Sequence, residues 1–310
     1  MELFSSQEWA AVIADTYGFE LGWCEGLPYC IIDDPAGKRV VALPFSDYLP
    51  IDTEHEAKQL RQVLCDRHPH YQVTLKTRLP HDTVIPQLSV GKQAVYHRYL
   101  PGGKASSSFR RGSKQAIRAG TQVQRSTDDD ALDRFQDLYH RQRLQKFGGI
   151  PQPPSFFRAI HHRFMQTGNG FYLEAVTKGG QHAATLVVLR CGGGWFYKFG
   201  TSDPALLDDR PNNLLFTHLT EAVDGGEANF LDLGLSGSGD SYAGLRRFKT
   251  SIGAEEHPLT YFTYTPPDYD ASTPTAFRQV IGEVTDALVK LNADRATVAP
   301  LSETLYRYFA

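Results

Sequence analysis

The sequence predicts an α+β fold with mixed central sheets flanked by helices, and three observations carry that expectation. Runs of alternating apolarity are interleaved with segments whose apolar residues recur every three or four positions, so strands and amphipathic helices are both present. The strand-like runs 171–176, 183–190 and 195–200 follow one another with little but glycine turns between them, which makes an antiparallel meander. Pro101-Gly102-Gly103 followed by Ser106-Ser107-Ser108 interrupts the pattern and marks an expected boundary between a reduced lobe at 1–103 and a larger one at 104–310.

In the first lobe, Ser5 or Ser6 is placed to cap a helix through Trp9, Val12 and Ile13. Strands are expected at 19–23, 29–33 and 39–45, the last entered through the turn Asp34-Pro35-Ala36-Gly37. Residues 54–68 carry Leu60, Val63 and Leu64 at helical spacing, and 71–76 alternates as a strand. In the second lobe, 109–119 reads as a basic helix and 128–147 as a long amphipathic one capped by Thr127 or Asp128. A Gly- and Pro-rich linker at 148–154 leads into a helix from Ser155 through His162 and Met165. After the meander, Pro211 suits the first position of a helix with Leu214, Leu215, Leu219 and Val223 behind it. A strand at 230–233, a helix at 242–252, a strand at 258–264 and two helices near 275–291 and 300–309 complete the chain.

Bulk composition excludes more than it identifies. A hydrophobic fraction of 41% with 22% charged residues is ordinary for a globular protein. The net charge of -3 gives no global attraction to nucleic acid or membrane, so any polyanion must be met by a local patch. No run approaches the roughly 18 apolar residues of a bilayer span, and Met1-Glu2-Leu3-Phe4-Ser5 has no signal-peptide pattern. Cys24, Cys30, Cys65 and Cys191 follow no redox or disulfide spacing and read as reduced thiols. The histidines lack metal-ligand order, so a cytoplasmic protein without a metal is expected.

Four motifs go further. They are Arg110-Arg111-Gly112-Ser113-Lys114-Gln115-Ala116-Ile117-Arg118-Ala119-Gly120; Tyr197-Lys198-Phe199-Gly200-Thr201-Ser202 with Arg210-Pro211-Asn212-Asn213-Leu214-Leu215; Asp232-Leu233-Gly234; and Phe248-Lys249-x-x-x-Gly253. In this order they resemble the FemAB-like branch of the GNAT superfamily of acyltransferases. Ala42-Leu43-Pro44-Phe45-Ser46-Asp47-Tyr48 resembles a segment of related GNAT-type acyltransferases. The resemblance implies tandem GNAT-like lobes, the acyl-CoA N-acyltransferase fold, with the first lobe reduced. It also implies N-acyl transfer to an amine on a small molecule or cell-envelope precursor, with acyl-CoA as donor co-substrate. The alternatives are an acyl carrier protein or aminoacyl-tRNA as donor, the latter as in peptidoglycan cross-bridge enzymes, or a non-catalytic module binding an acyl or phosphate ligand. The chain departs from the family pattern in lacking a helical hairpin arm and an Arg/Gln-x-x-Gly-x-Gly/Ala loop before Pro211.

Acyl transfer needs a held carbonyl, a stabilised oxyanion and removal of the amine's proton. Arg210, Asn212, Asn213 and Leu214 at a helix start are the expected donor-phosphate site, against the alternative of an ordinary capped helix. Lys249, protonated near neutrality, is expected as an electrostatic partner rather than a base. Asp47, Tyr197 and Tyr242 are the further catalytic candidates, with Glu174 and His218 behind them. Arg111, Lys114 and Arg118 share a helix face that can bind a substrate phosphate or form a solvated surface.

Overall fold

A computed structural model describes residues 2–145, 148–291 and 293–310. The end of the expected helix at 146–147 lies outside the described residues. The chain forms two compact units. One gathers Met1–Val95, Gly148–Ala159 and Pro258–Ala310, and the other Tyr96–Phe147 and Ile160–His257. The units are interleaved along the chain, whereas the sequence pattern divides it into two consecutive stretches at Gly103. A break in periodicity marks a turn, but not the later return of the chain to its first unit.

In the first unit, helix α1 (Gln7–Tyr17) starts where the Ser6 hydroxyl accepts from the Trp9 amide and ends at Gly18 in the left-handed region. Strands β1 (Glu20–Cys24), β2 (Leu27–Asp34) and β3 (Gly37–Val41) form an antiparallel meander. Helix α2 (Glu54–Arg67) opens with a capping box between Thr53 and Glu56 and returns the chain to β4 (Gln72–Thr77), parallel to β3. Strand β5 (Ser89–Tyr99) follows, and β11 (Glu255–Tyr264) pairs antiparallel with β4 through Thr260–Tyr264. Helices α8 (Ser272–Lys290) and α9 (Arg295–Leu305) complete this unit. The expected strand at 39–45 stops at Val41, because Leu43 and Phe45 take positive φ angles of 50° and 56°.

The second unit begins with helix α3 (Ser107–Arg118), capped by Ser106, and strand β6 (Gln122–Ser126). Helix α4 (Asp129–Gln145) opens where Asp128 accepts from the Ala131 amide; α5 (Pro154–Ile160) belongs to the first unit up to Ala159, and the second resumes with Ile160 and a π-helical turn at His161–Met165. Strands β7 (Gly170–Val176), β8 (His182–Cys191) and β9 (Gly194–Ser202) form the expected meander, with β6 antiparallel to β7. Helix α6 (Pro211–Asp224) crosses to β10 (Leu231–Gly237), which lies parallel to β9, and α7 (Ala243–Ser251) follows. Its core gathers Leu186, Val188, Trp195, Leu215, Leu219 and Leu231, with Phe109 of α3 against α6.

The chain therefore has the mixed α+β architecture that the pattern predicts. Strands β5 and β6 are additions to that pattern. The first five residues of β5 are all exposed, and β6 carries a single apolar residue, Val123, so neither shows the alternation that marks a half-buried strand. Among the described residues no helix is long and apolar enough to cross a membrane.

Candidate active site

The geometry of interest arises where β9 and β10 part. Their parallel pairing covers only Leu231 with Trp195 and Asp232 with Phe196. Beyond it, Gly234 adopts a φ of 71°, a left-handed turn that favours glycine. The Asp232 carboxylate, buried on β10, accepts from the Gly234 amide at 2.7 Å and fixes that turn. Lys249 reaches in from α7, and its ammonium donates to the carbonyls of Gly234 at 2.8 Å and Leu235 at 3.1 Å. Two acceptors of the parting strand are thereby satisfied by a side chain.

A cavity of about 380 Å³ lies along the outer half of β9, bounded by the first turn of α6 and by α7. Its walls are largely apolar: Tyr197 and Leu186 from the sheet, Phe216 from α6, and Leu245 and Phe248 from α7. The Tyr197 ring meets Phe216 edge-on at 5.0 Å, and Phe216 meets Phe248 at 5.6 Å. At the polar end stand Arg210, Asn212 and Asn213. No side chain caps α6, whose N-cap residue Arg210 sits in the left-handed region at φ 57°. The amides of an uncapped helix start turn toward an anion or a carbonyl oxygen.

A second cavity, of about 390 Å³, shares Arg210, Asn213 and Phe248 with the first and adds Arg111, Gly112 and Gln115 of α3. Helix α3 packs closely on α6 because Gly112 faces the Asn213 side chain; a Cβ there would stand 2.7 Å from its Nδ2. Ser113 donates to the Asn213 carbonyl at 3.1 Å, and the Gln115 amide donates to the Asp208 carbonyl at 2.7 Å.

The expected site residues divide between these surroundings. Tyr197, Arg210, Asn212 and Asn213 line the first cavity and Arg111 the second. Leu214 is buried and lines neither. Burial pushes the Tyr197 phenol up to about 12, so it stays protonated at neutrality and offers a hydrogen-bond donor rather than a base. Lys249 is buried, with its ammonium on backbone carbonyls, and Tyr242 is 48% exposed; neither lines either of these two cavities. Lys114 and Arg118 are exposed outside both, the Arg118 Nε donating to the Lys114 carbonyl. Glu174 is fully buried and bound by Arg134 and Gln124, a structural pairing. Burial lowers the affinity of His218 for a proton.

Asp47 lies in the first unit, half-buried. The loop that carries it is held by Lys76, which donates to the Leu43 and Ser46 carbonyls at 3.0 and 3.1 Å, and by Trp9, which donates to the Ser46 hydroxyl. The Tyr261 hydroxyl donates to the carbonyl of Asp47 itself. The positive φ angles of Leu43 and Phe45 are kept by these bonds.

Sequence reasoning does not pick out Leu245 and Phe216 as cavity walls. Apolar residues at helical spacing signal a core, and only packing shows which of them border open space. The buried hydroxyl of Thr201, also at the cavity, has no hydrogen-bond partner among the described residues.

Residues 103–250 match the family model described as an acetyltransferase (GNAT) domain. The chain has the GNAT acyltransferase fold in its FemAB-like form. The crystal structure of FemX is similar over 91% of this chain and 94% of its own, at 12% identity and a TM-score of 0.59. A C-terminal domain of a putative lysylphosphatidylglycerol synthetase from Agrobacterium fabrum is similar over 88% and 91%, at 11% identity and 0.58. L-PGS from Bacillus licheniformis is similar over 91% and 99%, at 12% identity and 0.54. No curated protein matches the sequence. At these identities the likeness is one of fold. In this GNAT fold the cavity lies where the outer half of β9 meets the start of α6 and α7.

Proposed function

We propose that the protein is an N-acyltransferase that moves an acyl group from an acyl thioester to an amine, with the thioester in the cavity beside β9. One observation carries this reading: an apolar cavity ends at the uncapped start of α6, beside the guanidinium of Arg210. An acyl thioester of the coenzyme A type has the same layout, with an apolar reactive end and an anionic carrier. Arg210, Asn212, Asn213 and the Leu214 amide would hold the carrier's phosphate, by charge and by helix-end amides.

In the reaction the amine nitrogen attacks the carbonyl carbon, the C–N bond forms, and the C–S bond breaks. The departing thiolate takes up a proton, and the amine gives up its own to solvent or to that sulfur. Tyr197, protonated by burial, is suited to donate to the carbonyl oxygen as negative charge develops there. Lys249 acts at one remove, by tying α7 to β10 through the Gly234 and Leu235 carbonyls. Tyr242 precedes α7 and is assigned to the rim, on the side from which the amine acceptor would enter. That acceptor is a small molecule or a cell-envelope precursor, and the reaction is cytoplasmic.

A second reading, with aminoacyl-tRNA as donor, draws on a separate observation. Arg110, Arg111, Lys114 and Arg118 stand exposed on α3, and no acidic residue occurs between Ser107 and Arg118. Such a row can meet successive phosphates.

The test is release of free thiol from acetyl-CoA and longer acyl-CoAs with a panel of amines, run beside aminoacyl transfer from charged tRNA. Amine-dependent thiol release is the expected result. Turnover with charged tRNA alone would replace the thioester, and turnover with neither would overturn acyl transfer.

A further inference from the structure

Helix α8 carries two apolar faces, and its packing uses one of them. Ile281, Thr285 and Leu288, with Pro274 in the first turn, are buried and seat the helix in its own unit. A second row lies about 90° around the helix from the first. It consists of Val280, Val284, Ala287 and the C-cap residue Leu291, all exposed, at steps of four, three and four. Val280 is 55% exposed and Leu291 77%. This is the spacing of a seam along which one helix packs lengthwise on another. At 1.5 Å per residue the row is about 16 Å long, and among the described residues nothing covers it.

The charges beside the row decide what fits there. Glu283 and Lys290 border it on the side away from the buried face, each directly before a seam residue, Val284 and Leu291. When the row is laid antiparallel on a second copy, Val280 meets Leu291 and Val284 meets Ala287. Glu283 of each copy then stands beside Lys290 of the other, so symmetry makes two opposite-charge pairs at the flank of the seam. A parallel alignment sets Glu283 opposite Leu288, which is buried in its own protomer, and pairs no charges. A lipid surface fits less well. The charged residues of α8 are Arg278, Glu283, Asp286 and Lys290, two of each sign, whereas a helix lying on a membrane is rich in Lys and Arg.

We propose that α8 is a self-association surface, on which two copies of this chain pair antiparallel through Val280, Val284, Ala287 and Leu291, with Glu283 and Lys290 setting the register. The two-fold axis lies midway between Val284 and Ala287, and each copy offers the same patch. A stable interface buries about 1,600 Å² in total. One seam of this length supplies only part of that, so the dimer is weak and reversible. The inference is independent of acyl transfer, because α8 carries none of the residues assigned to the reaction.

Sedimentation equilibrium of the full chain, from micromolar to near-millimolar concentration, tests this. The wild type should pass from monomer to dimer across that range. Val284→Glu and Leu291→Glu each put a charge into the seam and should raise the dissociation constant about 30-fold or more. Glu283→Lys and Lys290→Glu each turn two attractive pairs into repulsive ones and should raise it about 10-fold, less at high salt. Glu283→Lys combined with Lys290→Glu re-forms both pairs with the signs exchanged and should restore the dimer. All four positions are exposed, and a thermal melt of each variant as a dilute monomer checks that the fold is kept. A monomer at every concentration overturns the proposal, as does a monomer that instead floats with phosphatidylglycerol vesicles. A dimer that neither Val284→Glu nor Leu291→Glu weakens also overturns it, by placing the interface on another face. Single charge exchanges that weaken the dimer without rescue by the double exchange overturn the antiparallel register.

Discussion

The ammonium of Lys249 lies 2.8 Å from the carbonyl oxygen of Gly234, on strand β10 just beyond its short pairing with β9. A buried cation is costly unless its hydrogen bonds are made, and here they are made to backbone on β10. The side chain that the Phe-Lys motif singles out for electrostatics thus serves the shape of the site.

Lys249→Met keeps most of the side chain's apolar length and removes both bonds to β10. Hydrogen bonds from a charged donor contribute about 1.5–3 kcal/mol each, and buried carbonyls left without one add to the loss. The variant should lose at least about 2 kcal/mol of stability, read as a lower urea midpoint with an unchanged slope. Lys249→Arg should lose less. A midpoint equal to that of the wild type would show that β10 holds its course without this cation.

His97 gives a pH dependence with a definite sign. Its side chain is fully buried on β5, and burial, then Lys249, Arg246 and His257, lower its pKa from 6.5 to about 4. The Glu256 carboxylate lies 3.1 Å from Nε2 but is 41% exposed, so solvent screens its opposing pull. Between about pH 6.5 and 4 the unfolded chain binds the proton that the folded one refuses. Stability is therefore retained above pH 6.5 and falls as the pH drops through that window, by an amount of order 3 kcal/mol. Urea titrations at pH 7 and 4.5 should show this fall in the wild type and a smaller one in His97→Leu.

Gly112→Ala sets two effects against each other. Alanine in a helix interior gains about 1 kcal/mol over glycine, while forcing an extra methyl into a packed contact costs about 1–3 kcal/mol. The added Cβ would stand 2.7 Å from Nδ2 and 2.8 Å from Cγ of Asn213, so that amide must swing away from the Phe109 carbonyl it now donates to. The melting temperature should change by only a few degrees, and the affinity for a ligand at the start of α6 should fall more clearly. Unchanged affinity would show that the orientation of Asn213 does not matter to the site.

The Thr201 hydroxyl is buried and has no partner among the described residues, so removing it without changing shape should not harm the fold. Thr201→Val is expected to be neutral or to stabilise by up to about 1 kcal/mol, whereas Thr201→Ala, which leaves a void, should destabilise. Paired thermal melts of the two variants give the ordering. A clear loss in Thr201→Val would mean that the hydroxyl makes a bond in solution.

The sequence by itself determines the local elements and their order. Ser6, Thr53 and Ser106 cap helices from their own positions, because a cap needs only a side-chain oxygen two or three residues from a free amide. The meander of β7, β8 and β9 is legible because glycine turns separate short apolar runs, and both act over short stretches of chain. Arg210, Asn212 and Asn213 are found for the same reason, since a proline at the first helical position announces the helix start. Tertiary structure decides what these pieces face. It separates Arg111, which borders a cavity, from Lys114 and Arg118 on the same basic helix, which face solvent. It takes Lys249 out of the cavity and onto the Gly234 carbonyl, fifteen residues earlier in the chain. It also returns Pro258–Ala310 to the unit that the first residues begin. Capping and turn formation are short-range and leave their mark on neighbouring residues. The direction in which a side chain is buried depends on groups far away in sequence, and no local pattern records them.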